Sequence, residues 1–255
     1  MNPPELIVPG RADAAEPMTT MYSRFRAMSA GLLDLVLPLL CAGCGASGHS
    51  WCDRCAGAVG ESRLLLALDG APPTVAAGPY SGPLRAALLA YKERGRHGLL
   101  GPFARIMATA LLTAPLLADA RAPAPRWWLV PAPSRPAAVR ARGREHMRLL
   151  AEQIGERIAA TGATVGVSCA VRMRAGGHDS VGLGTRARRA NLRGRLLVRP
   201  GELPPSGAKV VLVDDVVTTG STLRGCSEAL AAAGVVVSGA LVLCDATGHS
   251  TSRSG

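Results

Sequence analysis

The sequence predicts a mixed α/β fold, a parallel sheet flanked by helices, with a small four-cysteine knuckle ahead of it. Three observations predict it. Val210-Val211-Leu212-Val213 is a short, β-branched run of the kind that a sheet buries on both faces, and helical composition resumes from Leu223 to Ala233. Trp127 to Val130, followed by a long segment with helical spacing, repeats the strand-then-helix order. Cys41-x₂-Cys44-x₇-Cys52-x₂-Cys55 places four thiols within a few turns of chain, well before either strand.

Taken in chain order, residues 1–28 are rich in Pro, Ala and small polar types without a sustained period, and are predicted to be a flexible tail. Leu32 to Leu40 is apolar but is interrupted by Asp34 and Pro38. It is too short to span a bilayer and lacks the charge and cleavage pattern of a signal peptide, so a cytoplasmic protein without membrane insertion is expected.

The knuckle is assigned to residues 32–60. Each C-x₂-C pair lets two thiolates meet one ion on a tight turn, and two pairs complete a tetrahedral Zn²⁺ site. Disulfides are the competing reading; a chain without a secretion signal disfavours them. His49 lies inside the spacer and could replace one thiolate or be a surface histidine. A closed four-cysteine site has no open coordination position, which makes the zinc structural. Cys169, Cys226 and Cys244 stand in apolar surroundings and are expected to fill core.

The main domain is assigned to residues 75–245. Pro83 to Tyr91 and Leu99 to Leu117 read as helices, with Pro102 suited to a first turn. Pro131 and Pro133 stop the strand at Val130, and the arginine-rich stretch after it is read as one helix with Met147, Leu150, Ala151, Ile154 and Ile158 on its apolar stripe. Arg172 to Arg195 holds five glycines and no clear period between Val165–Val171 and Leu196–Val198, as a mobile loop between two strands would. The last strand is placed at Val235 to Leu243, and residues 246–255 are read as a second flexible tail.

The stretch from Val210 to Thr222 carries the chemistry. Its apolar run ends in Asp214 and Asp215 and passes into Thr218-Thr219-Gly220-Ser221-Thr222 just before a helix. The first amides of that helix, its dipole and four hydroxyls together favour a phosphate dianion. Adjacent acids at the carboxyl end of a central strand can hold ribose hydroxyls or a hydrated Mg²⁺. A sugar phosphate therefore fits, whereas the absence of any G-x-x-x-x-G-K-[ST] leaves a Walker-type ATP site unsupported.

Composition narrows the partners. The chain has 255 residues, 48% of them hydrophobic, and a net charge of +11 that is nearly all arginine, lysine occurring only at Lys92 and Lys209. Arg121 to Arg148 contains a single acid, Glu145, and Arg172 to Arg199 a single one, Asp179. Such windows attract phosphates on a small ligand or along a nucleic acid, or are solvated faces. Aromatic residues make up 3%, so no base-stacking platform is visible. Lys92, beside glycines in an arginine-writing chain, is a candidate for a place where a compact ammonium is needed.

The string from Val210 to Thr222 resembles the 5-phosphoribosyl-1-pyrophosphate (PRPP) signature of the type I phosphoribosyltransferases. With the cysteine knuckle (read as double zinc ribbon-like), Tyr91-Lys92, Val130-Pro131-Ala132-Pro133, Arg142-Gly143 and the set Arg186, Arg189 and Asn191, the chain from about Leu32 to Asp245 is similar to the ComF family of competence-related proteins. One departure is that family members usually carry glutamine where His178 or Asp179 stands. The resemblance implies that Asp214 and Asp215 face the ribose, Thr218 to Thr222 wrap the 5-phosphate, and Ser134, Arg135 and Lys92 lie by the pyrophosphate with Mg²⁺. Arg186, Arg189 and Asn191 would lie on a loop that closes over the ligand. Two functions stay open: phosphoribosyl transfer from PRPP, or non-catalytic handling of single-stranded DNA beside the DNA-uptake machinery. No pocket for an acceptor is recognisable in the sequence.

Overall fold

The structure, a computed structural model, describes residues 39–66, 68–114, 126–134, 136–174 and 195–249. Within these, the strands are β1 (Arg63–Leu65), β2 (Thr74–Pro79), β3 (Arg126–Pro131), β4 (Thr164–Val167), β5 (Val171–Met173), β6 (Leu196–Val198), β7 (Lys209–Val217) and β8 (Val237–Asp245). The helices are α1 (Asp53–Gly57), α2 (Gly82–Glu93), α3 (Leu100–Thr113), α4 (Pro136–Arg142), α5 (His146–Ala159) and α6 (Ser221–Ala232).

Six strands form one sheet in the order β1-β2-β8-β7-β3-β4, and only the β1 edge is antiparallel. Side-chain alternation explains why both faces must be covered. Val211 and Val213 of β7, Leu241 and Leu243 of β8 and Leu129 of β3 face one core with α2, α3 and α5. Val210 and Leu212, Ala240 and Val242, and Val130 face a second core with α6. β5 and β6 form a separate antiparallel ladder whose Val171 and Leu196 join that second core. The predicted α/β class with a mostly parallel, helix-flanked sheet is thus what the chain adopts.

Several boundaries differ from the sequence reading for physical reasons. β7 does not stop at Val213 but runs through Asp214 and Asp215 to Val217, because Val216 and Val217 still pair with Cys244 and Asp245 of β8. For the same reason β8 ends at Asp245 rather than Leu243. The arginine-rich stretch is two helices rather than one, broken where Gly143 takes a φ of 68°, a left-handed conformation that favours glycine. β3 includes Pro131, and Ala132 N–H beyond it still donates to Val213 O at 2.8 Å. Cys226 and Cys244 are buried as expected, but Cys169 is only half-buried and lines a surface cavity of about 420 Å³ with Trp128, Arg148 and Arg172.

Strand order places a crevice at one end of the sheet. From β3 the chain moves outward to β4, and from β7 it moves the opposite way to β8, so the sheet reverses direction between β3 and β7. The turns leaving these two adjacent strands open a crevice at their carboxyl ends, where open α/β sheets take ligands. No helix among the described residues is long and apolar enough to cross a membrane.

Candidate functional site

Asp215 is the centre of the site. It is buried near the end of β7, and its Oδ2 lies 2.7 Å from Lys92 Nζ and 3.2 Å from His146 Nε2. Lys92 comes from the last turn of α2 and His146 from the first residue of α5, so three elements converge on one carboxylate. The opposite corner of the same imidazole, Nδ1, is 3.4 Å from Ser134 Oγ on the turn after β3. The Tyr91 ring packs edge-on against His146 at 6.1 Å and against Phe103 at 5.6 Å, which closes the apolar side of the group.

The two aspartates are driven apart electrostatically. Burial pushes the Asp214 carboxyl up to about 7, the charge on Asp215 adds to this, and the Asp215 amide donating at 2.8 Å to Asp214 Oδ1 opposes it. For Asp215, burial again works against ionisation, but the His146 hydrogen bond and the Lys92 ammonium outweigh it and hold its carboxyl below the usual range. Between the ordinary value of 3.8 and about 7, native Asp214 keeps a proton that the unfolded chain has released, so stability falls as pH rises across that window and is level above it. Asp214→Asn removes this term. Thermal unfolding at about pH 5 and about pH 8 should show a smaller drop for the variant than for wild type, by on the order of 1 kcal/mol.

The hydroxyl-rich turn follows directly from β7. Thr218 is exposed, Thr219 Oγ1 and Ser221 Oγ lie 3.0 Å apart, and Ser221 and Thr222 open α6. Gly220 caps the helix with a φ of 72°, and a Cβ there would stand 3.1 Å from Ala71 Cβ and 3.2 Å from Leu68 Cβ. Backbone conformation and close packing both require glycine at this position. Gly220→Ala is expected to cost about 1–3 kcal/mol and to displace the turn, measurable as a lowered unfolding midpoint together with weakened binding of inorganic phosphate. The segment that packs on Gly220 is itself pinned, since the Arg224 guanidinium of α6 lies 3.6 Å from Asp69 Oδ2.

A cleft of about 200 Å³ opens beside this centre, lined by Tyr91, Lys92, Gly95, His97, Arg144 and His146 among others. Its wall carries Lys92 and Arg144 together with the carboxylate of Glu93, and burial disfavours the charged form of His97. Several other arginines are compensated instead: Arg172 with Glu145, Arg148 with Glu152 at 2.8 Å and Arg199 with Glu202 at 2.8 Å.

Of the residues singled out from sequence, Asp214, Asp215, Lys92 and Ser134 lie together, with the turn Thr218-Thr219-Gly220-Ser221-Thr222 at the end of the same β7. Arg135, Arg186, Arg189 and Asn191 lie outside the described residues, as do the first tail and residues 178 and 179. His146 escaped the sequence reading. Its signal was present, because His146 stands four residues before Leu150 and eight before Ile154 on the buried stripe of α5, a polar residue where the pattern calls for an apolar one.

The four cysteines also converge. All four Sγ atoms lie within 4.8 Å of one another, Cys44 and Cys52 at 3.5 Å, and none forms a disulfide. A tetrahedral ion with Zn–S of about 2.3 Å needs sulfurs about 3.8 Å apart, so the cluster fits a structural zinc. Burial opposes ionisation of the Cys41 thiol, yet the amides of Cys44, Cys52 and Gly43 aimed at its sulfur bring it down to about 6. Cys55 is pushed up by burial and by the neighbouring thiols. His49 Nδ1 is turned to the Ser47 carbonyl at 3.4 Å, and among the described residues the cluster of candidate ligands is the four cysteines.

The cluster is anchored on α2. A Cβ on Gly43 would lie 2.8 Å from Pro83 Cβ in the first turn of α2, Arg96 donates to Leu40 O, and Ser50 Oγ lies 3.5 Å from Gly98 O. The knuckle thus meets the first turn of the helix that carries Lys92 and the segment just beyond its last residue.

Residues 158–253 match the family model of the phosphoribosyl transferase domain. The matched stretch takes in β7, both aspartates, the hydroxyl-rich turn and β8, and leaves out the cysteine cluster, Lys92, Ser134 and His146. No curated protein matches the chain.

Proposed function

We propose that this chain is a ComF-like phosphoribosyltransferase-domain protein that binds PRPP with Mg²⁺ and transfers its phosphoribosyl group to an acceptor. The observation that carries the reading is the pair Asp214–Asp215 at the sheet's reversal point, followed at once by a hydroxyl-rich helix start and met by Lys92. Asp215, held ionised, is suited to accept hydrogen bonds from ribose hydroxyls, while the amides and hydroxyls from Thr218 to Thr222 take the 5-phosphate. Lys92, Ser134 and Arg135 would meet the pyrophosphate, with Arg186, Arg189 and Asn191 closing from the loop. Bound Mg²⁺ would neutralise pyrophosphate charge as it leaves. In the reaction the acceptor's lone pair forms a bond to the anomeric carbon while the carbon–oxygen bond to pyrophosphate breaks and its electron pair leaves with pyrophosphate. The protein's share is positioning and charge stabilisation.

The division into a knuckle at 32–60, a catalytic domain at 75–245 and tails at 1–28 and 246–255 belongs to the same proposal, with structural zinc in the knuckle and a cytoplasmic location. Calorimetric titration of PRPP with Mg²⁺ into the purified protein should show one site per chain; no binding heat at millimolar ligand sinks the reading.

A second reading, single-stranded DNA handling for uptake or recombination, is favoured by the net charge of +11. The ion-paired arginines weaken it, because a guanidinium already neutralised by glutamate releases fewer counterions from a nucleic acid. Anisotropy of a labelled oligonucleotide separates the two. A steep salt dependence that survives Asp214→Asn assigns DNA to a surface apart from the PRPP site.

A further inference from the structure

His146 has no part in the signature motif, yet it touches both halves of the crevice. It is 6% exposed, and its ring spans from Asp215 Oδ2 on β7 (3.2 Å) to Ser134 Oγ after β3 (3.4 Å). With Asp215 ionised, Nε2–H donates to the carboxylate and Nδ1 faces the serine hydroxyl. A planar ring with hydrogen bonds at opposite corners fixes the separation of the groups it joins. Here those groups belong to adjacent strands at the point where the sheet reverses. The edge-on Tyr91 ring holds the imidazole from the side, and Lys92 grips the same Asp215 oxygen at 2.7 Å. The β3 turn therefore cannot shift against Asp215 without breaking one of these contacts.

We infer that His146 is a positioning residue that couples the two half-sites, the ribose-facing acid Asp215 and the Ser134 turn, so that occupation of one half tightens the other. The inference rests on the PRPP reading of the crevice. A ligand that spans both halves, a sugar phosphate bearing an anomeric pyrophosphate, benefits from the coupling; a fragment that fills one half does not. The coupling passes through Asp215 and Ser134, the two groups that the ring joins.

The test measures ribose 5-phosphate and pyrophosphate, singly and together, and PRPP, each with Mg²⁺, by calorimetry. In wild type each fragment should raise the other's affinity at least about fivefold. His146→Phe keeps the ring and removes both hydrogen bonds. It should weaken PRPP about tenfold or more and abolish the mutual enhancement, while His146→Gln, which can still donate and accept, should restore most of it. A merely structural histidine would lower the unfolding midpoint and weaken every ligand alike, without rescue by glutamine. If His146→Phe fails to fold, Ser134→Ala decides, since it severs the link at the other corner and should also remove the enhancement. Unchanged enhancement in His146→Phe or Ser134→Ala, with PRPP still bound, overturns the coupling and leaves the PRPP reading standing. Wild type that binds no PRPP overturns both.

Discussion

Asp215→Asn is expected to remove measurable PRPP binding, a loss of at least about 100-fold in affinity. The substitution leaves the shape of the side chain and takes away its charge, so the Lys92 ammonium and the His146 ring both lose an ionised acceptor. Breaking a buried ion pair on one side costs about 3–5 kcal/mol; with the Lys92 side chain 26% exposed, solvent screening reduces the expected stability loss to about 1–3 kcal/mol. Titration calorimetry and thermal unfolding read the two effects separately. Lys92→Met makes the converse test, because it should weaken pyrophosphate more than ribose 5-phosphate. Equal binding by wild type and Asp215→Asn would mean that the acid is a strand-end residue with no ligand to hold.

Removing the metal from the knuckle is expected to be felt at Lys92. Structural zinc in small cysteine sites contributes apparent binding energies of about 10–16 kcal/mol, far more than the five-residue α1 could supply. Cys41→Ser with Cys55→Ser should therefore lose all bound zinc and the local fold. Because Gly43 packs on Pro83 and Arg96 and Gly98 are held from the knuckle, the first turn of α2 and the segment just after it lose their anchors. Metal analysis should give about one zinc per chain for wild type and none for the variant. Amide exchange along Gly82–Glu93 should speed up in parallel, and PRPP affinity should fall although no residue of the crevice has changed. Full zinc loss with unaltered exchange in α2 would contradict the coupling.

Much of this was legible in the chain. β7 and the turn after it could be read because three levels agree there: a β-branched run, acids where it ends, and hydroxyls at a helix start. The cysteine cluster could be read because its spacing alone brings the ligands together. Lys92 stood out by residue choice, but its partner did not, since 122 positions lie between Lys92 and Asp215 and only strand order brings them together. His146 was missed because a histidine in a run of arginines looks like one more surface cation; its place on the buried stripe of α5 shows only when the helix is phased from Met147 onward. The break at Gly143 was hidden by an arginine-rich composition that suits a helix on both sides of it. The two acids inside β7 misled the strand end, because they look like a stop until the pairing of β7 with β8 on either side of them is known.

The strand order has a consequence for how the protein is made. In the sheet, β1 and β2 never touch β3 and β4; β8 and β7 stand between them, and both come from the last part of the domain. Most of the chain must therefore leave the ribosome with two unfinished sheet fragments, each showing an open parallel edge, and the fold closes only when the final hairpin-free crossover inserts its two strands at the centre. Such late, long-range pairing is slow, and the exposed edges in the waiting chain invite association. Synthesis and folding are thus tied to the same strands that frame the crevice, so a nascent chain completes its sheet and that crevice in one step.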